Sequence, residues 1–275
     1  MGFSKIAMLR QAALALAMAV ILVGAGAAGG KAAQVAPHRA AYELTLDRAT
    51  SASDVIDVSG TMDFEWADSC NGWTVKQKSL MTVGYSTGES AELGWNLLSW
   101  EAKDGLKYRF LVRDLQNGAM SDQFKGEAAL DGPGRGGKAV YSVPDKKIVK
   151  LPPGTLFPTA HSLKLLENAE ASHPLLWEMV FDGSDAKGLF GVNAVISPRL
   201  PQLSGGKPSS PLLATPSWRI NLAYFAPEGQ AAVPENEQHI DIHDNGVVDL
   251  LIIDYGTFRV RAKLTKIEPL HGPAC

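Results

Sequence analysis

Apolar and polar residues alternate along stretch after stretch of this chain. From residue 56 onward Ile56, Val58, Met62, Phe64 and Trp66 are apolar. Asp57, Ser59, Thr61, Asp63 and Glu65 fall between them, and Gly60 is the single interruption. A period of two places the two sets on opposite faces of a sheet, because successive side chains of a strand point in opposite directions. Gly60 is expected to mark a bend or bulge. The pattern returns in Tyr42-Leu44-Leu46, Leu106-Tyr108-Phe110-Val112, Trp218-Ile220-Leu222-Tyr224 and Phe258-Val260-Ala262-Leu264, with Lys107, Arg109, Arg219, Arg259, Arg261 and Lys263 between the apolar positions. One face is therefore core and the other wet, as in antiparallel sheets.

Turn signals punctuate these runs. Asp244-Asn245-Gly246 separates Gln238–His243 from Val247–Asp254, and Asn-Gly favours a type I′ hairpin turn, whose two central residues need positive φ. Tyr255-Gly256 leads into the final run, so the C-terminal third reads as a β-meander. Asn71-Gly72, Asp104-Gly105, Asn117-Gly118 and Asp182-Gly183 mark further turns. Counted generously, the runs make about fourteen strands. One segment departs from them: after Leu151-Pro152-Pro153-Gly154 and Phe157-Pro158, Thr159 is placed to cap a short amphipathic helix through His161, Leu163, Leu166 and Ala169. The tract from Ser197 to Pro216, rich in Pro, Gly and Ser, reads as a surface loop and not a domain boundary, since strands of the same character resume after it.

The first thirty residues read as an export signal. Lys5 and Arg10 form a positive start, Ala12 to Val23 is unbroken apolar sequence, and Ala25-Gly26-Ala27 offers a small-x-small cleavage pattern. The apolar run is short of the roughly 20 residues a membrane span requires. This reading divides the chain into a signal peptide, 1–27, and a single β domain, 28–275, that resides in the periplasm. No cysteine follows the apolar run, which argues against a lipid anchor. Loss of Lys5 and Arg10 leaves 24 basic residues of the original 26 against 29 acidic ones, a formal charge of −5. Nucleic-acid binding needs a basic field, so that class of partner is excluded.

Only two cysteines are present, Cys70 and Cys275. In an oxidising compartment such a pair is expected to form one disulfide. On the chain-entropy model, closing a loop of roughly 200 residues contributes about 5 kcal/mol.

Catalytic motifs are sparse. Gly132-Pro133-Gly134-Arg135-Gly136-Gly137-Lys138 imitates the front of a phosphate loop. Ala139 stands where a magnesium-binding Ser or Thr is required, and a strand follows where a helix should, so a hairpin loop is the better reading. His239, Asp241 and His243 are spaced to share one face of a strand and form a weak candidate set for zinc or copper; a solvated polar edge is the plainer reading. Asp182-Gly183-Ser184-Asp185 reads as a β-turn, lacking the acidic ladder of a calcium loop. There is no Gly-x-Ser-x-Gly elbow and no His-Glu-x-x-His pair. His38 and His271 fall near the mature termini, where order is expected to be low. The six tryptophans fall mostly at strand positions and read as core, with an aromatic-lined groove as the alternative. No catalytic residue and no cofactor is expected.

Arg39-Ala40-Ala41-Tyr42-Glu43-Leu44, Cys70-Asn71-Gly72-Trp73, Leu151 through Thr159, Phe181-Asp182-Gly183 and the Asn245-Gly246 hairpin followed by Cys275 together resemble the EipB family of envelope-integrity proteins of Gram-negative bacteria. The resemblance spans almost the whole mature chain. It implies an all-β fold, a long antiparallel sheet wound as a β-spiral or incompletely closed barrel, with Cys70 and Cys275 as the two sulfurs of an internal disulfide. It also implies a non-enzymatic role in maintaining the envelope under stress and a genetic link to a periplasmic tetratricopeptide-repeat protein. The family's shape has been likened to lipoprotein carriers. Two function classes follow: an envelope-integrity protein acting through a protein partner or an apolar or lipid ligand, and a lipid carrier in its own right. A metal-dependent hydrolase built on His239, Asp241 and His243 is a weaker third.

Overall fold

The computed structural model describes residues 35–201, 209–227 and 233–275. The expected signal peptide, 1–27, lies outside them. The described strands belong to the unit Lys31–Cys275. They are β1 (His38–Ala49), β2 (Val55–Asp68), β3 (Gly72–Tyr85), β4 (Ser90–Ala102), β5 (Lys107–Gln116), β6 (Ala119–Leu130), β7 (Gly137–Val143), β8 (Lys147–Leu151), β9 (Leu175–Phe181), β10 (Leu189–Ile196), β11 (Ser217–Phe225), β12 (Asn236–His243), β13 (Val248–Asp254) and β14 (Phe258–Pro269), with one α-helix, α1 (Pro158–Glu170), between β8 and β9.

All fourteen strands form one antiparallel sheet in the order β8-β7-β6-β5-β4-β3-β2-β1-β14-β13-β12-β11-β10-β9. Each arm is a meander of local hairpins, and the one junction distant in sequence is β1 with β14, paired from His38↔Pro269 to Ala49↔Phe258. The two edges of the sheet are β8 and β9, which are consecutive in the chain. The sheet curls until these edges approach, giving a nearly closed barrel. Tyr108 Oη on β5 donates to the Asp182 carbonyl at 3.1 Å, and Tyr141 Oη on β7 to that of Asp185 at 2.9 Å. Both bonds tie one arm to the β9–β10 loop of the other.

Three apolar clusters line the inside. One gathers Ala40, Tyr42, Leu44, Met62 and Val260 around the β1–β14 junction. A second sets Leu165, Leu166 and Ala169 of α1 against Val180, Val192, Ile220 and Ile242. The third is aromatic: Tyr108, Phe110, Tyr141, Phe157 and Phe181 have ring centroids 5.2–6.4 Å apart where the two edges meet. Each such ring pair adds about 0.5–1.5 kcal/mol beyond area burial. The gap is narrowed further by Leu156, whose N–H donates to Met179 at 2.8 Å and whose carbonyl accepts from Phe181 N–H at 2.9 Å.

Local geometry corrects several expectations. A register shift at Val55/Asp57 turns Ile56 outward, 63% exposed, and Val55 inward in its place. Gly60 keeps its register, so it marks no bulge; Met81 Cα of β3 would lie 2.7 Å from any Cβ there, and the glycine permits that close approach. At Asn245-Gly246 only Gly246 has positive φ; Gly246 N–H donates to the His243 carbonyl and His243 N–H to the Val247 carbonyl, which makes a three-residue hairpin loop, 244–246, and not a two-residue type I′ turn. Asn117-Gly118, with φ of 51° and 77°, has the two positive values a type I′ turn needs. His38 is fully buried, packed against Phe64 and Trp66. The phosphate-loop imitation is the β6–β7 hairpin.

Candidate ligand cavity

The alternation that builds the sheet also lines its interior. Between the arms lies a cavity of about 620 Å³, walled by Leu44, Met62, Met81, Leu93, Trp95, Leu115, Phe190, Tyr224, Leu251, Ile253 and Val260, with Gln77, Ser79, Asn236 and Gln238 among them. Its size sits within the roughly 300–1,000 Å³ of small-molecule sites, and its apolar side chains are interspersed with further polar ones, Asp114, Gln116, Ser121, Asp182 and Ser184. Trp95 is the tryptophan on this wall. Trp66 and Trp218 are buried in packing, Trp100 faces the other way beneath the Arg109 guanidinium, and Trp177 is exposed.

Acidic groups edge the cavity. Asp114 lies on its wall and stands directly opposite Asp122 across β5 and β6. Burial raises the Asp114 carboxyl, and the neighbouring Asp122 charge adds to the rise. Burial also pushes the Asp182 carboxyl up to about 6, against the pull of Ser184 N–H, which donates to it at 2.8 Å. The Asp182–Asp185 stretch forms the tight β9–β10 loop, where Asp185 accepts from Lys187 and Gly188 N–H at 2.7 and 2.5 Å. Those carboxylates serve the turn.

Beside the sheet gap, Glu101 of β4 is buried and accepts from Thr159 N–H at 2.7 Å and Ala160 N–H at 2.8 Å. It therefore caps α1 from 58 residues away. Thr159 was expected to cap, but it lies within the helix, after Pro158 at the first position, and makes no cap bond. Burial drives the Glu101 carboxyl up to about 7 despite these two donors. His161, buried on the same helix, is pushed down to about 4 by burial.

The His239, Asp241, His243 set is divided among separate neighbours. His239 Nδ1 meets Asn221 Oδ1, and Asp241 takes a two-pronged bond from Arg219 at 2.7 Å in each prong. His243 is buried, 3.1 Å from the Thr215 carbonyl and 3.6 Å from Asp249. Among the described residues, no three His, Cys, Asp or Glu side chains are grouped to hold a metal ion. Cys70 and Cys275 are joined, with Cα atoms 5.7 Å apart. The bond links the β2–β3 turn to the segment after β14 and so straddles the start of β1. Among the described residues, no helix is long and apolar enough to cross a membrane.

A nearly closed antiparallel barrel with a lumen between its arms and one helix packed against it is the class this geometry defines. The chain belongs to the EipB-like family, whose model matches residues 29–271. It is 29% identical over 267 residues, 93% of each chain, to the cell envelope integrity protein EipB of Brucella abortus. Its fold matches the crystal structure of a beta-barrel-like protein of a domain of unknown function from the same organism, with a TM-score of 0.78 and 25% identity, covering 86% of this chain and 99% of that one.

Proposed function

We propose that this protein is a non-enzymatic periplasmic component that supports cell-envelope integrity under stress by holding an apolar ligand inside its curved sheet. The observation that carries the reading is the apolar cavity of about 620 Å³ in a chain related to a protein named for envelope integrity. Protein purified from envelope extracts is expected to bring down lipid detectable by mass spectrometry, and Ser79→Phe, which fills the cavity, is expected to lose that lipid and to fail to rescue a deletion strain under detergent stress. Lipid-free wild-type protein that also refuses apolar fluorophores defeats the reading. The lipid-carrier alternative differs only in requiring transfer, which vesicle-to-vesicle transport measures.

A protein partner has its own supporting observation. Leu175, Trp177 and Val195 project from the outer face at the open edge of the sheet, with Trp177 57% exposed and Leu175 paired directly with Val195. Edge strands with exposed apolar side chains are sites of protein contact. The tetratricopeptide-repeat protein implied by family resemblance is the first partner to test. Crosslinking in intact cells is expected to capture it with the wild type and not with Trp177→Glu.

A further inference from the structure

The edge of the lumen carries more specificity than an apolar pocket requires. A second space of about 470 Å³ shares Asp114, Ser184 and Phe190 with the lumen, so the two form one path. Along it stand Asp114, Asp122, Asp182, Asp185 and Glu235, against Lys187 as the one cation among the described residues that line it. Among the described residues, none of these carboxylates is in an ion pair. Asp182 and Asp185 are engaged by loop N–H groups, whereas Asp114 and Asp122 stand directly opposite each other in the β5–β6 register. Like charges directly opposed on neighbouring strands are destabilising. A separate observation points the same way: Asn236 Oδ1, on the lumen wall, is a buried acceptor with no donor. A buried acceptor without a donor is costly. An ammonium group has three donors and no acceptor, so it answers both the opposed carboxylates and the lone carbonyl oxygen.

We infer that the cavity takes a single-chain cationic amphiphile, its hydrocarbon in the lumen and its ammonium group among Asp114, Asp122 and Asn236. This rests on the reading of the cavity as an apolar ligand site. Fatty acids and other anionic chains are disfavoured, because their head groups would enter a field of unneutralised carboxylates.

The test is displacement of the neutral fluorophore N-phenyl-1-naphthylamine from the full chain by dodecylamine, dodecanol and dodecanoate at pH 7. Dodecylamine is expected to displace it at about tenfold lower concentration than dodecanoate, the equivalent of one added charge contact. Asp114→Asn with Asp122→Asn is expected to erase most of that advantage while leaving dodecanol unchanged. Should that variant fold poorly, raising salt on the wild type must shrink the amine advantage, since exposed charge attraction is screened. Fluorophore bound but displaced equally by amine and carboxylate overturns the head-group inference and leaves the cavity reading standing. No binding of the fluorophore overturns both.

Discussion

Two junctions close this sheet, and they are built in opposite ways. β1 and β14 are more than 200 residues apart, yet they share a continuous ladder and a disulfide that spans 205 positions at one end of it. β8 and β9 are neighbours in the chain, yet they leave the sheet's two edges and are joined by a helix, an aromatic cluster and the short pairing of Leu156. The ladder satisfies backbone groups of both strands and fixes register. The gap is held by side chains, which fill space without demanding that the edges meet. Closure at one side and looseness at the other let the sheet keep a lumen that a fully paired barrel of regular register would have to resize.

The largest effect should come from breaking the ladder. Ala262 is fully buried and faces Leu44 across it, so Ala262→Asp places an unpaired charge in the core. A loss on the order of 4 kcal/mol or complete misfolding is expected, read by thermal melting. Next is Cys70→Ser, for which about 3 kcal/mol is expected, within the range for native bridges; reduced wild type should match it in denaturant titration. At the looser junction, Glu101→Ala leaves the buried Thr159 N–H and the partly buried Ala160 N–H without an acceptor and should cost about 2 kcal/mol at pH 5.

Glu101→Gln sharpens the comparison through pH. The folded carboxyl titrates at about 7, above its ordinary 4.5. Between these values the folded protein keeps a proton that the unfolded chain has shed, so stability falls as pH rises through that window. The difference between wild type and Glu101→Gln in melts at pH 5, 6, 7 and 8 should carry this slope, and a flat difference refutes it. His161 runs the other way, losing stability as pH falls from 6.5 towards about 4. It cancels from the difference. The smallest effect belongs far from both junctions: Arg219→Ala breaks a surface ion pair with Asp241 and should cost about 0.5 kcal/mol in denaturant titration.

The strands were legible because each alternating run reports its own two faces, and the meander follows from turns between neighbours. α1 was legible for the same local reason. Its cap was not, because Glu101 reads as one more polar residue in an alternating strand until the sheet's curl brings it to Thr159. His38 looked peripheral because its burial depends on Phe64 and Trp66 from the next strand. Ile56 failed because one bulged residue inverts the faces and leaves no mark in composition. The acidic edge of the lumen was missed for a related reason: reading polar positions as outward hides Asp114, an inward carboxylate whose opposite number across the hairpin is another. The three residues at 239, 241 and 243 lie on alternate positions of one strand, but each side chain is engaged by a different neighbour.

The pairing of β1 with β14 also sets a timetable. Synthesis runs from β1 towards β14, and at roughly 5–20 residues per second the second strand follows the first by about 10–40 s. β2 is available almost at once to cover one side of β1, but the other side, with its row of backbone donors and acceptors from His38 to Ala49, waits for a partner made thirteen strands later. During that interval the first arm carries β1 as an adhesive, unpaired margin. Whatever escorts it must shield that margin, and the sheet can join its two arms only after nearly all of its strands have been delivered.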